Sequence, residues 1–259
     1  MNRSVWLPAA CLLLAGFLAA PVGGAESAQA KAIAALQADF AAKIDVDDKS
    51  PDKPAVRAVL KEQTVTDEAL GHVHALTSLQ YLECTDTAVS DAGLKHLKGL
   101  TKLHTLVLQD SIVSDAGLKH LKGLTGLQTL VLKDTQVTGS GLKHLKGLPK
   151  LRNLSLAKNK ITNKDFEGIK DLTGLEHLDL EDTLITNEGV GYLKDLTKLT
   201  YLNLMFTKMN SDALEHLHGL TKLKTLHLDD SRVDAKDKAL KALKKAVPKL
   251  NVVFARKID

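Results

Sequence analysis

Apolar residues recur through the middle of this chain with a compound spacing. In "TKLHTLVLQDSIVSDAGLKHLKGL", Thr101 to Leu124, leucines stand at positions 3, 6 and 8 of the stretch and again at 18, 21 and 24. The first half alternates apolar and polar, the period of a short strand beginning near position 5; the second half sets leucines three apart, giving a short helix one buried stripe. Each stretch therefore predicts strand, turn, helix, turn.

The stretch repeats. "DAGLKHLKGLT" occurs at Asp91 to Thr101 and again at Asp115 to Thr125, an interval of 24 residues, and "GLKHLKGL" returns at Gly141 to Leu148. Thr77 to Leu220 divides without gaps into six such units; a seventh starts at Thr221, and Lys53 to Leu76 fits the same frame with weaker early positions, giving about eight. A fixed period of this length marks stacked units, each burying its apolar face against the next.

Two polar columns belong to the frame. Position 14 reads Ser90, Ser114, Thr138, Thr162, Thr186, Asn210 and Asp234, all residues suited to capping a helix N-terminus. Position 11 reads Thr87, Ser111, Thr135, Asn159, Thr183, Thr207 and Ser231, small side chains that hydrogen-bond backbone at a tight turn and, stacked in register, predict a structural ladder. Gly99, Gly123 and Gly147 suit the exit from each helix.

The pattern "LxxLxLxxTxVxxxGLxxL" resembles leucine-rich repeats, in particular the threonine-containing type with a 24-residue period found in exported bacterial proteins of the planctomycete kind. The resemblance covers roughly residues 53–250. It implies an α/β leucine-rich repeat solenoid, a horseshoe with a parallel sheet on its concave face and short helices on its convex face, and a role in binding proteins or other macromolecules. Fold alone does not fix that role.

The ends depart from the frame. Residues 1–25 carry Arg3, an apolar run from Val5 to Val22 and small residues suited to cleavage after Ala25 or Ala30, which predicts a secretory signal peptide and no transmembrane span after cleavage. Export, to the periplasm or the medium, follows. Residues 26–52 predict a helix and hairpin cap, 53–250 the repeat array, and 251–259 a capping strand and tail. Cleavage would remove Cys11 and leave Cys84 alone, so no internal disulfide is expected.

Aromatics are only 3% of the chain, so the core must rest on leucine, and a cluster of aromatics is informative. Tyr201, Met205 and Phe206 fall on the strand face of one unit with His177 and His227 in the flanking units, the composition of a binding anchor. Carboxylates dominate the same face: Glu83 and Asp179 at position 7, and Asp86, Asp110, Asp134, Asp182 and Asp230 at position 10. Together these are the candidate partner-binding residues.

The remaining chemistry is sparse. His72, His96, His120, His144 and His216 share position 20, but helices pack about 10 Å apart, too far for a zinc ion to gather two of them, so no metal site is expected. Lys95, Lys98, Lys119, Lys122, Lys143, Lys146, Lys170 and Lys194 give the helical side a basic ridge that could meet an anionic envelope polymer. Nucleic acid is not expected, since no aromatic platform is interleaved with these lysines. No catalytic residue and no cofactor is predicted: there is no "GxSxG", no "HExxH" and no phosphate-binding glycine loop. The expectation is an exported, non-catalytic module for protein-protein interaction; a structural role through the lysine ridge, and more remotely a hydrolase, are the alternatives.

Overall fold

The computed structural model describes residues 27–229 and 232–255. The expected signal peptide, with Arg3 and Cys11, and the candidates Asp230 and Ser231 lie outside the described residues. A helix at Ala28–Phe40 opens the fold, with the Ser27 hydroxyl accepting from the Ala30 amide at 3.1 Å. Strands β1 (Lys43–Val46) and β2 (Ala55–Lys61) then pair antiparallel.

From β2 onward the sheet is parallel: β3 (Tyr81–Thr85), β4 (Thr105–Val107), β5 (Thr129–Val131), β6 (Asn153–Ser155), β7 (His177–Asp179), β8 (Tyr201–Asn203), β9 (Thr225–Asp229) and β10 (Asn251–Ala255) follow in chain order. Equal positions pair, as Leu106 with Leu130 and Leu202 with Leu226, because the units from Lys53 to Leu220 have the same length; the last unit is longer, and Asn251 pairs with Thr225. Each position therefore becomes a column running along the sheet.

The core is one layer per unit. Leu103, Leu106, Leu108, Val113, Leu118, Leu121 and Leu124 are all fully buried, and the same positions are buried in the other units from Lys53 to Leu220. Each such leucine contributes about 2 kcal/mol by leaving water. Asp67–Val73 and Asn187–Gly191 are α-helical, but the second halves of most units are not plain α-helices. Asp91–Leu94 forms one α turn and Lys95–Leu97 continues as 3-10 helix, while Gly139–Gly147 and Ser211–Leu217 are 3-10 throughout. Leucines spaced three apart suit three residues per turn, so the tighter helix keeps positions 18, 21 and 24 on one face.

The caps are more varied than position 14 alone predicts. Ser90, Ser114, Thr138 and Asn210 accept from the amide two residues on, but Thr162 and Thr186 do not, and the helix Lys238–Ala246 is capped by Asp237 rather than Asp234. Behind the caps runs a second ladder at position 15. The Asp67 carboxylate accepts from the Ser90 amide at 2.8 Å and hydroxyl at 2.6 Å, and Asp91 does the same for Ser114. Asp115 accepts from the Thr138 amide and from both the Thr138 and Ser140 hydroxyls. Asn163 and Asn187 continue it to the amides of Thr186 and Asn210.

That ladder breaks at Gly139. A Cβ there would meet the Asp165 carbonyl carbon at 2.4 Å and the Phe166 nitrogen at 2.6 Å, so the next unit lies directly on this backbone. Phe166, fully buried, takes the place of leucine at position 18 of that unit. Of the three exit glycines, Gly99 alone takes a positive φ, 96°; Gly123 and Gly147 leave their helices without one.

Strands repeat about every 4.8 Å, whereas packed helices need about 8 to 10 Å, so stacking one of each per unit bends the solenoid with the sheet inside. The sheet face is therefore the concave face. Positions 5, 7, 9 and 10 make up this face, partly exposed in most units, with Ala157 and Asn203 buried.

Candidate functional site

Position 10 has a backbone reason for its acids. Asp86, Asp110, Asp134, Lys158, Asp182 and Phe206 all have φ between 52° and 57°, and Glu62 at the same position has φ 101°. Aspartate tolerates this left-handed region far better than most residues. The turn also extends the ladder, since the amides of Asp86, Asp110, Asp134, Lys158 and Asp182 donate to carbonyls of the following unit at 2.7 to 3.0 Å. Asp86, Asp110 and Asp134 are thus accounted for by conformation. Phe206 is the exception: a bulky ring, half exposed, in a conformation that costs such a residue about 1 to 2 kcal/mol.

The turn residues of position 11 lie next to it, mostly buried. The hydroxyls of Ser111, Thr135, Thr183 and Thr207 donate to the carbonyl three residues earlier at 2.7 to 3.0 Å, closing each turn within its own unit. Asn159 alone bridges units, donating to the Leu132 carbonyl at 2.6 Å and accepting from Thr135 at 3.0 Å. The Thr87 hydroxyl is buried without a partner.

Strand register brings the aromatic candidates together. His177 and Tyr201 pair at position 5 of adjacent strands, and their rings stack with centroids 5.7 Å apart and planes 15° from parallel. The His227 ring stands 5.2 Å from Tyr201 on the other neighbouring strand, tilted by 47°. Three rings thus form a ridge across β7, β8 and β9. Met205 is half-buried, and Phe206 projects at the turn after β8.

Carboxylates border the ridge. Asp179 accepts from the Ser155 hydroxyl at 3.0 Å and from the Glu181 amide at 3.2 Å, and Glu181 accepts from the Asn203 side chain at 3.1 Å. Asn203 accepts in turn from the Met205 amide at 3.1 Å. Among the described residues no lysine or arginine nitrogen comes within 4.0 Å of Asp179, Glu181 or Asp182. Burial first, then the charges of Asp179 and Glu181, push the Tyr201 phenol above its usual pKa. The orienting roles of Ser155 and Asn203 have no sequence signal, because in a strand frame they read only as polar surface.

Glu83 belongs to a different cluster at the N-terminal end of the same face. It accepts from the Tyr81 hydroxyl at 2.8 Å and pairs with Lys61 at 2.9 Å, while the Arg57 guanidinium lies 4.5 Å over the Tyr81 ring. Partial burial opposes ionisation of Glu83, but these donors and the Lys61 charge together hold its pKa below the usual carboxylate value. A cavity of about 460 Å³ opens here, lined by Lys43, Arg57 and Lys61 against Asp45, Glu62 and Glu83. Arg57 and Lys61 fall in the first unit, whose weak early positions hide this self-paired group from the sequence.

On the helical side the histidines of position 20 form a partly exposed column, and among the described residues no group of three or more metal-ligating side chains gathers. The lysine ridge is in part neutralised: Lys146 pairs with Asp171 at 3.3 Å, and Lys170 with Glu167 at 2.9 Å. A second cavity, about 250 Å³ and lined by Lys146, Arg152, Asp171 and Lys198, lies away from the aromatic ridge. No helix among the described residues is long and apolar enough to cross a membrane.

Comparison with known proteins agrees with this architecture. The family described as leucine rich repeat matches residues 101–161 and 125–185. No curated protein matches the chain. Among solved structures, internalin C2 of Listeria monocytogenes is similar with a TM-score of 0.57 at 26% identity, covering 86% of this chain and 91% of that one. The internalin inlF of the same species aligns with a TM-score of 0.53 at 25% identity, over 73% of this chain and 58% of that one. The ectodomain of the plant membrane receptor kinase GASSHO1/SCHENGEN3 from Arabidopsis thaliana, solved in complex with CASPARIAN STRIP INTEGRITY FACTOR 2, shares the fold at 15% identity, with a TM-score of 0.53 over 81% of this chain and 25% of that one. Residues 101–185 match leucine-rich repeats, and the fold is an α/β leucine-rich-repeat solenoid.

Proposed function

We propose that this chain is an exported, non-catalytic binding module, built from the threonine-containing repeat type of planctomycete-like exported proteins, that engages a protein partner on its concave face. The observation that carries this reading is Phe206. A ring in a left-handed turn, where the equivalent positions mostly hold aspartate, is a local cost, and half of its surface stays open to solvent. On the same concave face the His177, Tyr201 and His227 rings form a ridge, and two of the chain's scarce aromatics, Tyr201 and Phe206, fall in one unit. Aromatic anchors of this kind supply most of the energy in protein interfaces. Leucine-rich-repeat domains are commonly protein-binding, and the plant receptor ectodomain was solved in a complex. Attachment to an anionic polymer through the helical side has less support, since Lys146 and Lys170 are already paired.

The test is affinity capture from native envelope extract with two purified baits, the unmodified protein and one carrying Tyr201→Ala, Phe206→Ala and Asp182→Lys, both verified as folded by circular dichroism. A protein retained by the first and lost from the second supports the concave site. Equal capture by both, or by neither, overturns it.

A further inference from the structure

The chain has three tyrosines, and two of them show a common arrangement. Tyr81 donates to Glu83 while Arg57 lies 4.5 Å over its ring and Lys61 holds the same carboxylate. Tyr192, on the helical side, donates to Glu188 at 3.0 Å while Lys170 lies 4.5 Å over its ring and pairs with Glu167. In each case a tyrosine and a carboxylate are completed by a basic side chain. Cation, ring and carboxylate reinforce one another, because the ring face and the acid both favour positive charge.

Tyr201 has the tyrosine and the carboxylates without the cation. Asp179, Glu181 and Asp182 lie within four residues of one strand and turn, and among the described residues none is within 4.0 Å of a lysine or arginine nitrogen. The flanking rings are histidines, and Lys158, the equivalent turn residue one unit earlier, makes no ion pair with these acids. Position 10 explains Asp182 by conformation; Asp179 accepts one backbone amide, that of Glu181, a bond that the uncharged Asn203 makes equally well to Met205, and position 7 elsewhere carries Val107 and Val131 as well as Glu83, while position 9 carries Gln109 and Lys133. The chain as a whole is basic, with net charge +4, so this acidity is a local feature rather than a general one.

From this we infer that the protein partner presents a lysine or arginine side chain to Asp179 and Glu181, with its stem packed against Tyr201 and the exposed ring of Phe206. Long basic side chains suit such a site, because the methylene stem covers apolar surface while the head reaches the carboxylates. Charge complementarity of this kind sets partner choice and association rate more than total affinity. The inference rests on the concave-face reading and adds the chemistry of the partner.

The experiment uses a phage-displayed random peptide library, panned on the purified protein, and synthetic versions of the enriched peptides. Peptides rich in arginine or lysine are expected. Asp179→Asn with Glu181→Gln, in which the new side-chain amide oxygen at position 179 still accepts from the residue-181 backbone amide and its NH2 group donates to the Ser155 hydroxyl, should weaken them by about two- to thirtyfold, since each lost exposed ion pair costs about 0.2 to 1 kcal/mol. Wild-type affinity should also fall as salt rises, a readout independent of any variant's folding. Enriched peptides that depend on Tyr201 and Phe206 but lack basic residues, or ignore both the amide variant and salt, overturn the cationic partner and leave the concave site intact. Peptides that are indifferent to Tyr201→Ala with Phe206→Ala, or no enrichment at all, overturn both.

Discussion

Thr87 and Thr183 occupy the same turn position and differ by one hydrogen bond. The Thr183 hydroxyl donates to the Leu180 carbonyl at 2.8 Å, whereas the Thr87 hydroxyl is buried with no partner. A buried polar group without a partner costs about 1 to 3 kcal/mol, and a satisfied one contributes about 1 kcal/mol. Thr183→Val should therefore lower the urea midpoint, while Thr87→Val should leave it unchanged or raise it; equal losses in the two would show that the hydroxyls are equivalent. Phe206 is the other residue where conformation and identity disagree. Phe206→Asn should raise the midpoint by relieving a left-handed backbone that costs a bulky residue about 1 to 2 kcal/mol, and should abolish partner capture in the same protein. Stability lost together with binding would mean that the ring is packed structurally. The identities at this scale were legible in the sequence, but the positive φ of position 10 was not: aspartate on a strand frame reads as solvated surface until the turn is seen.

At the scale of the elements, the strand register from β2 to β9 was legible because those units are the same length, and the leucine columns follow from that alone. The helical halves were not. Leucines three apart fit an α-helical stripe and a 3-10 turn equally well, and units of equal length use both, as Asp67–Val73 and Gly139–Gly147 show. The ladder at position 15 was also hidden, since an acid in the first turn of a helix is explained by the helix dipole without any partner in the next unit. Its energetic role can be measured. Asp115→Ala removes the acceptor for the Thr138 amide and for two hydroxyls, and bonds to a charged acceptor contribute about 1.5 to 3 kcal/mol. Hydrogen exchange at the Thr138 amide should speed up markedly, while Asp165→Ala, outside the ladder, should leave it unchanged. Gly139→Ala should be the more damaging change, because the added carbon meets backbone of the next unit at 2.4 Å. If Gly139→Ala is silent by urea denaturation, the close approach of the two units is wrong.

For the whole molecule, the consequence of a one-layer core is that each unit depends on its two neighbours and the array can open from its ends. Cys84 reports on this. It sits at position 8 of β3, fully buried in the column otherwise held by leucines such as Leu108 and Leu132. Burial first, with a smaller contribution from the Glu83 charge, pushes its thiol up to about 12. Near neutral pH it is almost wholly protonated as well as inaccessible, so alkylation must wait for the N-terminal units to open. Moving the thiol to the centre of the array, by Cys84→Leu with Leu132→Cys, keeps the column position and changes only the distance from the end. Iodoacetamide labelling in urea below the midpoint, read by mass spectrometry of the peptide that holds the thiol, should be faster at residue 84 than at residue 132. The exchange is conservative, since the smaller thiol side chain at 132 loosens the centre and works against the expected order. Equal rates would mean that the solenoid opens as one cooperative body, with the helix Ala28–Phe40 and the β1–β2 hairpin sealing its end as firmly as a full repeat does.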